Sequence, residues 1–573
     1  MRHLYLIALL PLLAWSCAST PEAPVAEAEV VAPAEPVEIP ERAIPQESLY
    51  PLLVAEFALR RRAYEVALDQ YMVQATILED ASVSAHTTHL AQFMQREPEA
   101  LEAVEQWVAL EPDNIEANNT LATLLVRRGR TVEALPYVAV VARSGSQTSF
   151  PMLLNGFRQL TPEQQAELVD GINSLAAEFP EDPQLILTQA LIHEELGQNQ
   201  QALEKLDQLF EIEPYQQQGV LLEAKLLVEA GEKDPFKRMR KALDQNPEDS
   251  RLRLQYARLL TREDMDAARK QFEILSVQNP EDADLLFSLA LINRETGDNL
   301  AAQAYLRKMI DLDERVDEAH YYLGRIAEDE GDLKGALYRY KQVKGGRDFL
   351  SANNRVGLIL IEAGEVEQSH QYFSVLRDKQ PEQREPLYGL EAELLKSVDL
   401  LEASLAILNQ GLSEFPDSSS LLYSRSMLGE EMGDLIVMEN DLRTILAKDP
   451  ENATALNALG YTLANHTDRY VEARDLISRA LVLQPGEPAI LDSMGWVLYR
   501  QGEYEESIKY LRQAYDKFPD PEVAAHLGEV LWISGDEEAA MEIWQDALLK
   551  DPEHKVLVAT IKRLGVTALD VGH

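Results

Sequence analysis

Asp492, Trp496 and Tyr499 fall at i, i+4 and i+7 of one short stretch, so on a helix they share a single stripe, with Arg500 beside its end. Trp, Tyr and Arg are the side chains that most often dominate interface energies. The chemistry they offer is non-covalent capture of an extended or helical peptide in an aromatic-lined groove. Asn457 and Tyr461 upstream, and Glu529 and Trp532 downstream, take related places in the neighbouring stretches. These eight residues form the candidate partner-binding groove. They are expected to lie one turn beyond the core stripe, facing a partner.

Covalent chemistry has far less to work with. The chain contains no Gly-rich phosphate loop, no nucleophile elbow and no paired-Cys metal motif. His86 and His89 are three apart, but two imidazoles without a third ligand make a weak metal site, so both are read as surface or packing residues. His193 beside Glu194 and Glu195 is equally uninformative. No catalytic residue, metal or cofactor is assigned, and the chain is expected not to be an enzyme. The basic clusters at Arg60–Arg62, at Arg127, Arg128 and Arg130, and at Lys237, Arg238, Arg240 and Lys241 are read as solvated helix faces.

The 573 residues carry a formal net charge of -44, which argues against nucleic acid, because binding a polyanion needs Lys and Arg to displace its counterions. Cys17 is the single cysteine, so an intramolecular disulfide is impossible. It follows Arg2, His3 and a nearly unbroken apolar run from Leu4 to Trp15. A run that short suits a signal peptide, residues 1–16, and not a bilayer span. Leu13 to Cys17 resembles a bacterial lipobox, which implies lipidation of Cys17. Ala18 follows it in place of the Asp linked to inner-membrane retention, so the implied location is the outer membrane, facing the periplasm. Residues 17–47 then become rich in Pro, Ala, Val and Glu and cannot bury a core. They are expected to be an extended spacer whose roughly 30 residues reach at most ~90 Å.

What must position the groove is a repeated helical hairpin, seen most cleanly from Glu487 to Pro519. Leu491, Met494, Gly495 and Leu498 fall at i, i+3, i+4 and i+7, Gly502 interrupts, and Tyr504, Ser507, Leu511 and Ala514 form a second stripe before Pro519. Neither helix has the apolar area to stand alone, so the unit needs stacked neighbours. Closing residues recur at Glu79, Pro112, Ser146, Pro180, Pro214, Pro247, Pro280, Glu314, near Leu350, and at Pro381, Pro416, Pro450, Pro485, Pro519 and Pro552. This pattern of large apolar, Leu-Gly, Tyr, Ala and closing Pro resembles the tetratricopeptide repeat. An all-α fold is expected: an α-solenoid superhelix of about fifteen such hairpins over residues 48–552, with a capping helix and tail at 553–573. Units ending at Pro112, Pro416 and Pro450 lack parts of the pattern and are where a break in the curvature of the superhelix is expected. After Gly231, Asp234 and Pro235 suit an N-cap and first helical position, with Met239 and Ala242 turned inward.

The motifs LNALGYTLAN, DSMGWVLYRQGEY and HLGEVLWISGD, together with the signal peptide, Cys17 and the spacer, resemble a bacterial family of tetratricopeptide lipoproteins of the outer membrane. Its members partner a periplasmic carboxy-terminal processing protease. The resemblance implies a non-enzymatic adaptor that binds this serine protease and its substrates, peptidoglycan cross-link hydrolases, to promote proteolysis. The competing expectation is a scaffold subunit of a polysaccharide or pilus export machine.

Overall fold

The structure, a computed structural model, describes residues 44–146 and 148–566. The signal segment, Cys17 and almost all of the spacer lie outside the described residues. Among those described there is no strand; thirty α-helices and three 3-10 turns follow one another along an α-solenoid. Among the described residues thirteen pairs of consecutive helices pack as hairpins, and Pro162–Glu178, Gln217–Glu229, Lys237–Gln245 and Lys555–Arg563 stand outside those pairs.

The hairpin of Pro488–Arg500 and Tyr504–Lys517 shows how the sequence builds each unit. Pro488 occupies the first helical turn, where its missing N–H is not needed. Gly502, at φ 82°, supplies the left-handed residue that ends the helix. The Glu503 amide then donates back to the Leu498 carbonyl at 2.9 Å. Leu491, Met494 and Leu498 are buried, as are Ser507, Leu511 and Ala514 on the second helix. Gly495 sets the spacing between the two helices: a Cβ there would lie 2.5 Å from Leu511 Cγ. The Ser507 hydroxyl, closed off in the same seam, donates to the Gly495 carbonyl at 2.6 Å. Tyr504 departs from the expected stripe and stays exposed, its ring beside that of Tyr499.

The chain divides into two compact units, one up to Arg238 and one from Met239. In the first, a continuous core runs from Ala55 to Ile192. Its one irregular repeat follows Ser146: in place of a first helix the chain makes two 3-10 turns, Phe150–Leu154 and Phe157–Gln159. Pro151 and Pro162 limit helix length there, and Gly156 at φ 75° redirects the chain. Phe150, Leu153 and Phe157 fill the space that a first helix would otherwise occupy.

In the second unit the core runs in successive clusters to Val566. The units ending at Pro416 and Pro450 are complete hairpins, Arg384–Glu414 and Ser419–Lys448 taken end to end, as is the pair Ala81–Phe93 and Glu97–Leu110 before Pro112. Their packing survives the loss of pattern residues. Leu350 is not a closing residue: it lies in the first turn of Phe349–Glu362, and the break falls earlier, where Gly346 has φ 75°. The short helix after Gly231 starts at Lys237 and not at Pro235, with Met239 and Ala242 buried as expected.

Candidate functional site

Three first helices, Ala453–His466, Pro488–Arg500 and Pro521–Ser534, carry the candidate residues. Asn capping helps fix the first: the Asn452 side chain accepts from Ala455 N at 3.0 Å. In the third, Asp520 accepts from Glu522 N at 2.8 Å.

Two recesses open on this face. One, of about 620 Å³, is lined at the N-terminal ends of the helices by Asn457, Tyr461, Asp492 and Glu522, among others. The other, of about 480 Å³, lies at their C-terminal ends and takes in Trp496, Tyr499, Arg500 and Glu529. Seven of the eight expected groove residues therefore gather in two recesses. Trp532 lines neither; it is half-buried, with its ring 5.8 Å from that of Trp544.

Exposure differs from expectation. Asp492, Trp496 and Glu529 are buried, with Trp496 only 7% exposed. For Asp492 and Trp496 the cover is His526, a residue missed in the sequence although it sits one turn before Glu529 on the same face. Its ring stacks on Trp496 at 4.2 Å between centroids, and Nδ1 lies 3.0 and 2.9 Å from the two Asp492 carboxylate oxygens. Nε2 lies 3.4 Å from the Tyr461 hydroxyl, which donates to Glu522 at 3.3 Å.

Burial alone would lower the basicity of His526, but the Asp492 carboxylate outweighs it, so the imidazole titrates above its ordinary value. With both nitrogens protonated, Nδ1–H donates to Asp492 and Nε2–H to Tyr461. Burial, then the nearby Glu522 and Asp492, pushes the Tyr461 phenol up. Burial and the Glu529 carboxylate push Tyr499 to about 12. Tyr499 donates to Glu529 at 3.1 Å, and Arg563 of the last helix donates to the other oxygen of Glu529 at 2.6 Å. Arg500 donates to the Asn465 carbonyl at 3.0 Å and to the Tyr470 hydroxyl at 2.8 Å. These are binding groups held in fixed places.

The tetratricopeptide-repeat pattern matches residues 257–314, 294–349, 439–488 and 493–554. The TPR repeat-containing protein PA4667 of Pseudomonas aeruginosa is 40% identical over 490 residues, covering 84% of this chain and 82% of that protein. The chain belongs to the tetratricopeptide-repeat family. Among solved structures it is similar to yeast Tom70, at 15% identity and TM-score 0.32 over 91% of this chain and 99% of that one. The Cut9–Hcn1 assembly of the APC/C matches at 15% identity and TM-score 0.32, over 91% of this chain and 96% of that one. Overlaps this loose add nothing to the assignment.

As a tetratricopeptide-repeat protein the chain is a protein-binding scaffold, built on a fold that is typically non-catalytic. Among the described residues no group of three or more His, Cys, Asp or Glu is placed to hold a metal ion. His86 packs edge-on against Tyr71, and His89 meets Glu116 at 3.0 Å. Of the basic clusters, Arg130 pairs with Glu133 and Arg238 with Glu223. No helix among the described residues is long and apolar enough to cross a membrane.

Proposed function

We propose that this protein is a lipid-anchored adaptor of the outer membrane, facing the periplasm. It binds a carboxy-terminal processing serine protease together with peptidoglycan hydrolase substrates and so promotes their proteolysis. The observation that carries a binding role is the doubly recessed face of the last three repeats, lined by Tyr461 of one first helix and by Trp496, Tyr499 and Arg500 of the next. The lipobox-like segment ending at Cys17 and the Pro/Glu spacer support the location. Holding enzyme and substrate on one array replaces a dilute encounter with a high effective concentration, so modest affinity at each site suffices. Preferential binding to an active protease conformation would add to this.

The test is affinity capture of the tagged chain from a periplasmic and membrane extract, followed by degradation assays with the recovered partner. Co-recovery of a serine protease that cleaves a hydrolase faster in its presence is the expected result. Recovery of secretin or synthase subunits without a protease would overturn the adaptor reading in favour of an export scaffold. For the anchor, Cys17→Ser is expected to release the protein from the outer-membrane fraction.

A further inference from the structure

The two recesses differ in charge. The N-terminal one is lined by Glu430, Glu487, Asp520 and Glu522 and by no Lys or Arg; Asp492, which also borders it, is buried and already held by His526. Its walls also include the rings of Tyr423, Tyr461 and Phe518, surfaces along which the alkyl stem of a long basic side chain can lie. The C-terminal recess holds Arg500, which has no ion-pair partner among the described residues despite the large acidic excess of the chain. Beside it Trp496, more than nine-tenths buried, has an indole N–H without an acceptor. In the first recess the Asn457 carbonyl oxygen likewise lacks a donor. Each orphan matches the charge around it, an acceptor among acids and a donor beside a cation.

We infer that the doubly recessed face of the last three repeats holds an extended segment of a partner protein, seating a Lys or Arg side chain in the N-terminal recess and a carboxylate side chain against Arg500. The inference deepens the protein-binding role proposed above and rests on it. Asp492 and Arg500 are eight residues apart on one helix, a rise of about 12 Å. An extended chain covers that in about four residues, which sets the spacing between the basic and acidic positions.

The experiment measures fluorescence anisotropy of labelled nine-residue peptides against the full chain. The probe GLKALAELG carries Lys and Glu four positions apart; GLQALAELG, GLKALAQLG and GLQALAQLG remove one charge or both. Each charge is expected to contribute about five-fold in affinity, the size of one partly exposed ion pair, with the preference shrinking in high salt. Glu487→Gln with Glu522→Gln should erase the Lys preference and keep the Glu preference; Arg500→Gln should do the reverse. Arg500→Lys, which keeps a cation, separates a charge effect from lost packing. If all four peptides bind alike, or none binds, the inference is overturned. Protease capture is scored separately on the same variants, so failure of the adaptor reading and failure of the bipolar groove are distinguishable.

Discussion

The hairpin at 488–517 and the stretch 148–178 fill equivalent places in the repeat, yet only the first has two helices. In the hairpin, every residue from Ile490 to Leu498 is buried, because the first helix is enclosed by its own second helix and by neighbouring first helices. In 148–178 two 3-10 turns deliver Phe150, Leu153 and Phe157 to the same kind of space. The period therefore specifies a volume to be filled between closing residues. How the backbone fills it is decided by local breakers such as Pro151 and Gly156.

That comparison can be broken most sharply at its two largest side chains. Phe150→Ala and Trp496→Ala should each cost about 3–5 kcal/mol in their own region. Chemical denaturation with hydrogen exchange localised by mass spectrometry would read the loss, since a long array need not unfold in one step. A near-silent Phe150→Ala would make 148–161 a mere linker; a near-silent Trp496→Ala would make that ring a surface one. Next in size, Gly495→Val drives methyl groups into Leu511 and the Ser507 carbonyl and should destabilise by about 1–3 kcal/mol. The stretch 148–161 has no counterpart to that seam.

A smaller effect concerns pH. His526 faces Asp492, Tyr461 and Glu522, with Glu529 close by, and its folded pKa lies above the unfolded value. Protonation thus stabilises the fold fully below about pH 6.5, and this contribution fades as pH rises through the higher folded pKa. Melting temperatures of the native chain should fall relative to those of His526→Asn over that window; a relative rise would contradict the imidazolium assignment. Smallest of all, Glu133→Gln removes an exposed i,i+3 partner of Arg130 and should change stability by no more than about 0.5 kcal/mol.

The all-helical array was legible in the sequence because closing prolines and small seam residues such as Gly495, Ser507 and Ala514 report packing that every unit must repeat. At Pro416 and Pro450 the motifs are incomplete, yet Leu408, Leu412 and Leu442 supply a buried core without the usual signature. The groove residues were legible as a stripe. Their burial was not, since it depends on how far the next first helix leans over them, and His526 has no neighbour in sequence that announces Asp492. Trp532 followed the stripe pattern and still turned toward Trp544, a choice made by the large ring beneath Gly528.

In an array where each unit touches only the next, bending stiffness is set by successive joints in series. The Tyr461 hydroxyl reaches past the intervening first helix to Glu522 and His526, 61 and 65 residues away. Such a link acts as a strut spanning two joints, so the last three repeats should flex as one short beam while the rest of the spring yields around them.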